Sequence, residues 1–471
     1  MASRACLRVV AMLCAICVTV VELRPQANEG PCAKVCWCKP GISISCKDSN
    51  LTELPDFSDV DSTTTTFDLS SNRIARIPAG AFKNFADMKT LSLQDNAIAE
   101  IEPNTFADSP KLRLLLLSRN LLTVVRVDML AGLDGLTQLH LDHNRVTDLV
   151  TGAFDGLSSL KTLDISNNDI GGELPAEIFR NLATLQSLYI NHLQLEKLPE
   201  DVFVDNRNLR SLWLANNSFS SVDDFLPNLR ALPRLQTLDI SQNPIAELPS
   251  QRFGDLWALT DLFIRKMPLL IAIKPRAFVN LPSLQALYIE DNRYLRRFDD
   301  NAFDGIFING SDAVSAKVHF RGNNLNYLQE DLLPWENLSL IDLQQNPWHC
   351  DCRLAWMSKM SYIDKKLIDY VRCASPTKLQ NHLIVGLNSS LFVCDGHSRP
   401  TSRSTTTTTM TIVMILAVLL LTTAVGTYAM KRFNVFKNCC RKREAARRYV
   451  SVIDSETSAD DSYLIQEMEE I

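Results

Sequence analysis

The sequence of 471 residues predicts an α/β-type solenoid, a curved stack with short parallel strands on its concave face, followed by one transmembrane helix and a disordered tail. Three observations predict this organisation. Asparagine recurs every 24 residues from Asn72 to Asn168, two groups of four cysteines flank a middle without cysteine, and residues 410–430 carry no charge. A fixed period of this length is the signature of stacked repeats.

Composition narrows the classes of function before any motif is considered. Hydrophobic residues make up 46% of the chain and charged residues 22%, which is close to the globular average. The net charge of -6 argues against a nucleic-acid partner, because nucleic-acid-binding domains usually carry a basic stripe. The sequence contains no Gly-x-Ser-x-Gly, no phosphate-binding glycine loop and no His-Glu-x-x-His. It therefore predicts no enzyme and no cofactor.

Residues 1–24 are predicted to be a secretory signal peptide. Arg4 and Arg8 precede an apolar run of 13 residues, Val9 to Val21, which is too short to span a bilayer but suits a signal sequence. No clean small-x-small site follows, so cleavage is placed only loosely, between about 19 and 28. An uncleaved N-terminal anchor is the alternative interpretation.

Each repeat follows one frame of apolar residues around an asparagine. In the fifth repeat the frame consists of Leu160, Leu163, Ile165, Asn168 and Ile170. The apolar-x-apolar pair predicts a short strand whose two apolar side chains enter the core. The asparagine is expected to hydrogen-bond open backbone groups at the turn that follows.

The frame continues to residue 346 and gives twelve repeats. Leu193 and Met267 replace the asparagine in two of them. A later phenylalanine is expected to pack beneath the convex side, and it recurs at Phe82, Phe106, Phe154, Phe203, Phe253, Phe278 and Phe303. This pattern resembles the leucine-rich repeat over residues 62–346. The resemblance implies a leucine-rich repeat solenoid, in which stacked neighbours share one continuous core.

The two cysteine groups lie just outside the repeats. The segment 28–61 resembles the N-terminal cap of extracellular leucine-rich repeat proteins, and 347–396 resembles their C-terminal cap. Spacing alone leaves three pairings open in each group. The family resemblance implies the pairs Cys32–Cys38, Cys36–Cys46, Cys350–Cys373 and Cys352–Cys394. A zinc site is the alternative, which a secreted, oxidising context disfavours.

One column of residues on the concave face is the candidate ligand-binding surface. The residue between the two core positions of each strand should face that side, because side chains alternate along a strand. The candidate residues are Leu116, His140, Tyr189, Trp213, Phe263 and Tyr288. Exposed aromatic clusters are enriched where proteins bind proteins. The alternative is that aromatic residues simply favour strands and cover the sheet.

Two further features bear on this face. The segment His140-Leu141-Asp142-His143 contains metal-ligating side chains, but no third ligand is obvious, so the sequence favours a solvated face and predicts no metal. Five sequons predict N-glycosylation at Asn50, Asn216, Asn309, Asn337 and Asn388. A glycan on Asn216 would lie at the end of the Trp213 strand and would leave the opposite edge of the face open to a ligand.

Residues 410–430 are predicted to be a transmembrane helix. These 21 uncharged residues would span roughly 31 Å, the thickness of the hydrocarbon core. Eight lysines and arginines follow within residues 431–448, and such an excess belongs in the cytoplasm. We therefore expect a single-pass type I protein of the plasma membrane with an extracellular N-terminus. A buried globular helix and a GPI signal are less favoured alternatives.

The segments beside this helix carry no catalytic domain. Residues 397–409, rich in threonine and serine, predict an O-glycosylated stalk. The predicted cytoplasmic tail, residues 431–471, contains Cys439 and Cys440 as candidate palmitoylation sites. Two short motifs resemble endocytic sorting signals and predict cytoplasmic adaptors as partners; they contain Tyr449 with Val452 and Leu464 with Ile465.

The layout resembles neuronal and epithelial leucine-rich repeat transmembrane proteins, and the ectodomain resembles Toll receptors, although no Toll-type signalling domain follows. The resemblance implies a membrane-embedded glycoprotein that binds an extracellular protein ligand or a cell-surface partner, in cell adhesion or as a receptor or co-receptor. One alternative is an innate immune receptor for microbial surface molecules. A second alternative is a matrix-associated structural protein that is shed at the stalk.

Overall fold

The computed structural model describes residues 35–57, 60–251, 253, 256–306, 316–360, 367 and 369–394. All of these belong to one compact unit that ends at Cys394. The predicted signal peptide, stalk, transmembrane segment and tail lie outside the described residues, as do Cys32, Asn309 and the tail sites. Within the described ranges, no helix is long and apolar enough to cross a membrane.

Fourteen short strands form one long sheet. The first two pair antiparallel, and every later neighbour is parallel and follows in chain order. The strands are Trp37–Lys39, Ser43–Ser45, Thr66–Asp68, Thr90–Ser92, Leu114–Leu116, Gln138–His140, Thr162–Asp164, Ser187–Tyr189, Ser211–Trp213, Thr237–Asp239, Asp261–Arg265, Ala286–Glu290, Lys317–His319 and Leu340–Asp342. One strand therefore lies in each of the twelve predicted repeats.

The opposite side of the stack consists of turns and very short elements. Two-residue strands pair across neighbouring repeats at Arg76–Ile77 with Glu100–Ile101, Val124–Val125 with Asp148–Leu149, and Glu247–Leu248 with Ala272–Ile273. Single turns of 3₁₀-helix lie at Val127–Leu130, Val222–Asp224 and Trp335–Asn337, and one turn of α-helix lies at Leu226–Leu229. The helical part of this solenoid is thus minimal.

The repeated asparagines form a ladder of side-chain hydrogen bonds inside the stack. The buried Asn120 accepts the N–H of Ile98 at 3.0 Å and donates to the carbonyls of Leu93 and Leu117, each at 3.0 Å. These bonds join backbone groups of adjacent repeats, and such groups would otherwise lie unpaired in the core. The expectation that this asparagine serves the turn backbone is confirmed.

The phenylalanines form a second ladder, buried at the far side of the core. Phe253, Phe278 and Phe303 follow one another with ring centroids 5.8 and 5.5 Å apart. Phe179, which the sequence pattern does not single out, stacks on Phe203 at 5.9 Å. Each ring buries apolar surface against the next repeat, and this burial is the main contribution to the stability of the stack.

The two repeats without asparagine keep the stack closed in another way. Leu193 and Met267 are both buried where the asparagine side chain would lie. In the repeat after Leu193, Oδ1 of Asn217 accepts two backbone N–H groups, those of Leu193 and Leu195. The longer spacing before Asn323 leaves the sheet in register, because Lys317–His319 pairs directly with the preceding strand.

Disulfides lie at both ends of the described chain. They join Cys36 with Cys46, Cys350 with Cys373 and Cys352 with Cys394, which are pairs that the family resemblance implies. Cys38 is also disulfide-bonded, and its implied partner Cys32 lies outside the described residues. The C-terminal cap contains the strand pair Trp348–His349 with Cys373–Ser375 and 3₁₀ turns at Cys352–Lys359, Thr377–Leu379 and Ser389–Leu391.

Candidate functional site

The parallel register places the predicted ligand-binding column in one straight line. Asp164 pairs with Tyr189, Tyr189 with Trp213, Trp213 with Asp239, and Asp239 with Phe263. In each strand the middle residue is buried and its neighbours are half-buried, as the alternation of side chains requires. We call the side of the long sheet that carries this column the outer face; the sequence predicts it to be concave.

Four aromatic side chains of this column stack along the outer face. The ring centroids of Tyr189 and Trp213 are 5.7 Å apart, and those of Trp213 and Phe263 are 5.8 Å apart although the Asp239 strand lies between them. Phe263 stacks on Tyr288 at 4.4 Å. All four side chains remain partly exposed. We call these four residues the aromatic ladder.

Small polar side chains border the aromatic ladder on one side. The residues two positions before Asp164, Tyr189, Trp213 and Asp239 are Thr162, Ser187, Ser211 and Thr237, and each is half-buried. Nε1 of Trp213 is buried and has no hydrogen-bond acceptor within the described part of the chain. From Tyr189 to Asp239, small polar side chains therefore lie beside the ladder, whereas Asp261 and Ala286 lie beside Phe263 and Tyr288.

The C-terminal end of the ladder contains a charge cluster that the sequence pattern did not reveal. The His319 imidazole stacks on Tyr288 at 4.4 Å, and the guanidinium carbon of Arg265 lies 4.6 Å from the Phe263 centroid and 4.4 Å from the Tyr288 centroid. Nε of Arg265 lies 2.7 Å from a Glu290 carboxylate oxygen. This arginine thus combines a cation–π contact with an ion pair.

Burial perturbs the titratable groups of the outer face. It raises the pKa of Asp164, Asp239 and Glu290, because a carboxylate loses hydration there. For the same reason it lowers the pKa of His319. Each carboxylate also accepts a bond or faces a charge that opposes the shift; Oδ1 of Asp239, for example, accepts the Ser241 N–H at 2.9 Å.

Two groups of side chains on this face have the chemistry of metal ligands. One consists of His140, Asp142 and Asp164, and the other of Glu290, His319 and Asp342; in each, the potential ligand atoms lie within 4.8 Å of one another. The sequence analysis found no third ligand within the segment His140-Leu141-Asp142-His143. The structure brings Asp164 of the next repeat beside His140 and Asp142, and His143 is not part of this group. The signal was present as the alignment of successive repeats.

The remaining predicted site residues lie as follows. Leu116 and His140 are half-buried in the same column, two and one repeats before Asp164. The described sequon asparagines, Asn50, Asn216, Asn337 and Asn388, are all exposed. Nδ2 of Asn216 lies 2.9 Å from Nδ1 of His192. Glycosylation and ligand binding at these residues stay predictions.

The repeats match models of known families. Residues 62–122, 110–170 and 233–294 match the model described as "Leucine rich repeat", residues 207–252 match "Leucine Rich repeats (2 copies)", and residues 159–182 match a further "Leucine Rich Repeat" model. The matches and the register of the sheet agree: the chain is a leucine-rich repeat protein with a solenoid fold.

Two curated relatives are similar to parts of the chain. Trophoblast glycoprotein of Macaca fascicularis is 27% identical over 257 residues, which are 45% of this chain and 60% of that protein. Chondroadherin of Mus musculus is 32% identical over 101 residues, which are 21% of this chain and 26% of that protein. The matched regions thus span 60% or less of either relative's length.

Two solved structures share the fold. A chain of the octameric complex of latrophilin 3, Unc5D and FLRT2 has a TM-score of 0.57 and 24% identity, and the match covers 77% of this chain and 99% of that chain. A chain of the TLR13–ssRNA13 complex has a TM-score of 0.58 and 20% identity, covering 73% and 56%. At these identities the likeness concerns the fold alone.

Proposed function

We propose that this chain is a cell-surface leucine-rich repeat glycoprotein that binds a protein ligand on its outer face. It acts in cell adhesion or as a receptor or co-receptor. The observation that carries the proposal is the aromatic ladder, a row of four stacked and partly exposed rings from Tyr189 to Tyr288.

The ladder differs from the aromatic residues that hold the stack together. The phenylalanines of the far side, such as Phe253 and Phe278, are fully buried and stabilise neighbouring repeats. The rings of the outer face leave part of their surface in contact with water instead. Aromatic side chains that lie together on a surface are the usual anchors of protein interfaces.

The proposed location rests on the sequence. A signal peptide at 1–24 and a transmembrane helix at 410–430 would place the repeats outside the cell and residues 431–471 inside it. The exposed sequon asparagines favour the same topology. Palmitoylation of Cys439 and Cys440, and adaptors at the sorting motifs, belong to the same proposal.

The comparisons support a partner that is a protein. One chain of the octameric complex of latrophilin 3, Unc5D and FLRT2 shares this fold. FLRT2 contributes the leucine-rich repeats of that complex and assembles there with the other two proteins. The TLR13 structure contains a single-stranded RNA instead. The acidic residues of the outer face, including Asp164, Asp239 and Glu290, oppose a polyanion and favour a protein ligand.

The test is a binding assay with multimerised ectodomain, residues 28–396, on cells of the source organism and on a panel of microbes. Changing Tyr189, Trp213, Phe263 and Tyr288 together to Ser should abolish binding while the thermal unfolding transition remains cooperative. The matched control changes four exposed apolar residues elsewhere to Ser, namely Val150, Val204, Trp257 and Leu269. This control should bind as the parent does.

The outcomes of this assay distinguish the possible functions. Binding to host cells that the quadruple ladder variant loses supports adhesion or receptor function. Full affinity in that variant would move the ligand site away from the outer face. Binding to microbes alone would place recognition of microbial surfaces first, and cell binding that requires this same protein on the target cell would make the interaction homophilic.

A further inference from the structure

The two ends of the aromatic ladder carry similar titratable groups but differ in what lies against the last ring. Each end has two carboxylates and a histidine: Glu290, His319 and Asp342 at the C-terminal end, and His140, Asp142 and Asp164 at the N-terminal end. At the C-terminal end the chain supplies a cation of its own, Arg265.

Arg265 shows what this surface does with a cation. Its guanidinium lies within 4.6 Å of two ring centroids, those of Phe263 and Tyr288, and its Nε lies 2.7 Å from a Glu290 oxygen. The arginine therefore offsets the burial of one carboxylate while the ring quadrupoles face its positive charge. A carboxylate beside stacked aromatic rings is, in this protein, a place that holds a guanidinium.

The N-terminal end also has carboxylates near the last ring of the ladder, but neither an arginine nor a stacked histidine lies on that ring in the described part of the chain. Tyr189 stacks on Trp213, and its other neighbour in the register is Asp164, whose short side chain cannot continue the stack. In the described part of the chain no other ring contacts Tyr189. One face of the phenol ring is therefore directed toward Asp164 and His140, which align in the two preceding repeats.

The carboxylates at this end have serine and histidine groups as partners. Asp142 accepts a hydrogen bond from the Ser118 hydroxyl at 2.5 Å and lies 2.9 Å from Nδ1 of His143, while Asp164 accepts the Ser166 N–H at 2.9 Å. Across the described ranges, no lysine or arginine forms an ion pair with either. Burial raises the pKa of Asp164, and the nearby Asp142 carboxylate adds to the increase.

We propose that this end of the outer face binds an arginine or lysine side chain of the protein ligand, held by Asp164 and Asp142 against the open face of Tyr189. The inference rests on the proposed function and adds to it the chemistry of the partner: a segment with a basic residue beside an apolar stretch, the latter lying along the ladder. Charge-assisted hydrogen bonds and the cation–π contact would both favour the basic side chain.

A side chain is favoured over a metal ion by the chain's own precedent. The C-terminal group has the same three ligand types within the same 4.8 Å, yet an arginine lies on its Glu290. In the N-terminal group, Asp142 already contacts Ser118 and His143. Both observations suit a cation that shares its carboxylates with other donors.

The experiment selects peptides from a random phage library on the purified full chain in detergent. Clones are first sorted by whether they still bind a Tyr189→Ser, Trp213→Ser variant; those that do not are ladder-dependent. We expect ladder-dependent clones to be enriched in arginine and lysine. Asp164→Asn, which keeps the acceptor for the Ser166 N–H, should weaken them about tenfold or more, since a charged hydrogen bond is lost.

A second variant tests the site without removing a carboxylate. His140→Arg supplies the cation from the chain itself, as Arg265 does at the other end, and should also weaken the basic clones. The matched control is Asp148→Asn, an exposed carboxylate on a two-residue strand away from the outer face, and it should leave their affinity unchanged.

The experiment distinguishes a failure of the proposed function from a failure of this inference alone. If no clone is ladder-dependent, the outer face does not bind peptides, and both the proposed function and this inference are wrong. If ladder-dependent clones lack basic residues, or bind Asp164→Asn as they bind the parent, only the inference is overturned. If a chelator abolishes their binding and zinc restores it, the group is a metal site, and the inference is likewise wrong.

Discussion

Asparagine and aspartate show how similar side chains take opposite roles within one repeat. Asn120 is buried and hydrogen-bonds four backbone groups of its own and the preceding repeat, so its position follows from the need to pair buried backbone atoms. Asp239 is half-buried on the outer face and accepts the Ser241 N–H. Burial removes water from the Asp239 carboxylate, which disfavours its charged form and raises its pKa.

The raised pKa of Asp239 leads to a prediction about stability and pH. Between the ordinary aspartate value of 3.8 and the raised folded-state value, the folded chain binds more protons at this residue than the unfolded chain does. The contribution of Asp239 to stability therefore falls as the pH rises through that window. Asp239→Asn, which keeps an acceptor for Ser241, should unfold at a higher urea concentration than the parent at pH 7.

This stabilisation should shrink as the pH falls through that window and be largely lost below 3.8, where the Asp239 carboxyl is protonated in both states. Urea unfolding midpoints measured across this range for both proteins check the prediction. Asp148→Asn, which changes an exposed aspartate of a two-residue strand, serves as the control for the substitution itself. An Asp239→Asn variant that is less stable than the parent at pH 7 would show that the carboxylate is compensated after all.

Sequence reasoning reached the residues of the outer face but not all of their contacts. The column from Asp68 to Asp342 follows from a period of two along each strand and of one strand per repeat, and both are visible in the sequence. The position of the Arg265 side chain cannot be predicted from the sequence, because this long, flexible side chain lies against rings from two repeats. The approach of Asp164 to His140 required the register as well as the residues.

At the scale of elements, the repeat frame determined the strands and left the other side undefined. Each strand is fixed by an apolar-x-apolar pair whose buried residues, such as Leu163 and Ile165, allow only one register. The two-residue strand pairs, for example Glu247–Leu248 with Ala272–Ile273, and the single helical turns carry no periodic signal, because they are too short to show one.

The two aromatic rows should respond differently to truncation. Phe278 is fully buried between Phe253 and Phe303, so Phe278→Ala leaves a cavity and should lower the free energy of unfolding by about 3–5 kcal/mol. Phe263 is partly exposed on the outer face, so Phe263→Ala should cost less than half of that. Urea unfolding of the two variants beside the parent measures both values.

The same pair of variants separates stability from binding. Phe263→Ala should weaken ligand binding at temperatures where the protein is fully folded, while Phe278→Ala should bind as the parent does below its unfolding transition. Equal losses of stability in the two variants would mean that the outer-face rings hold the stack together, and the aromatic ladder would then be a structural feature.

For the whole molecule, the decisive property is that each repeat packs mainly against its two neighbours. The core of the described residues is continuous from Ile44 to the C-terminal cap, and each strand of the long sheet pairs with the strands of the adjoining repeats. The end repeats would expose their apolar edges without the caps. Strands at the ends of such a stack should therefore open first, and the disulfides should determine how readily they do.

The caps give the last prediction. Cys350→Ser, Cys373→Ser removes a bridge between two buried residues of the C-terminal cap and should cost about 2–5 kcal/mol, because the unfolded cap gains freedom. Since coupling passes only between neighbours, the loss should be local. Amide hydrogen exchange should accelerate in Leu340–Asp342 and remain unchanged in Leu114–Leu116.

The corresponding variant of the N-terminal cap, Cys36→Ser, Cys46→Ser, should instead accelerate exchange in Ser43–Ser45 and Thr66–Asp68. Uniform acceleration along the sheet in either variant would show that the repeats unfold as one cooperative unit, and the caps would then stabilise the whole stack.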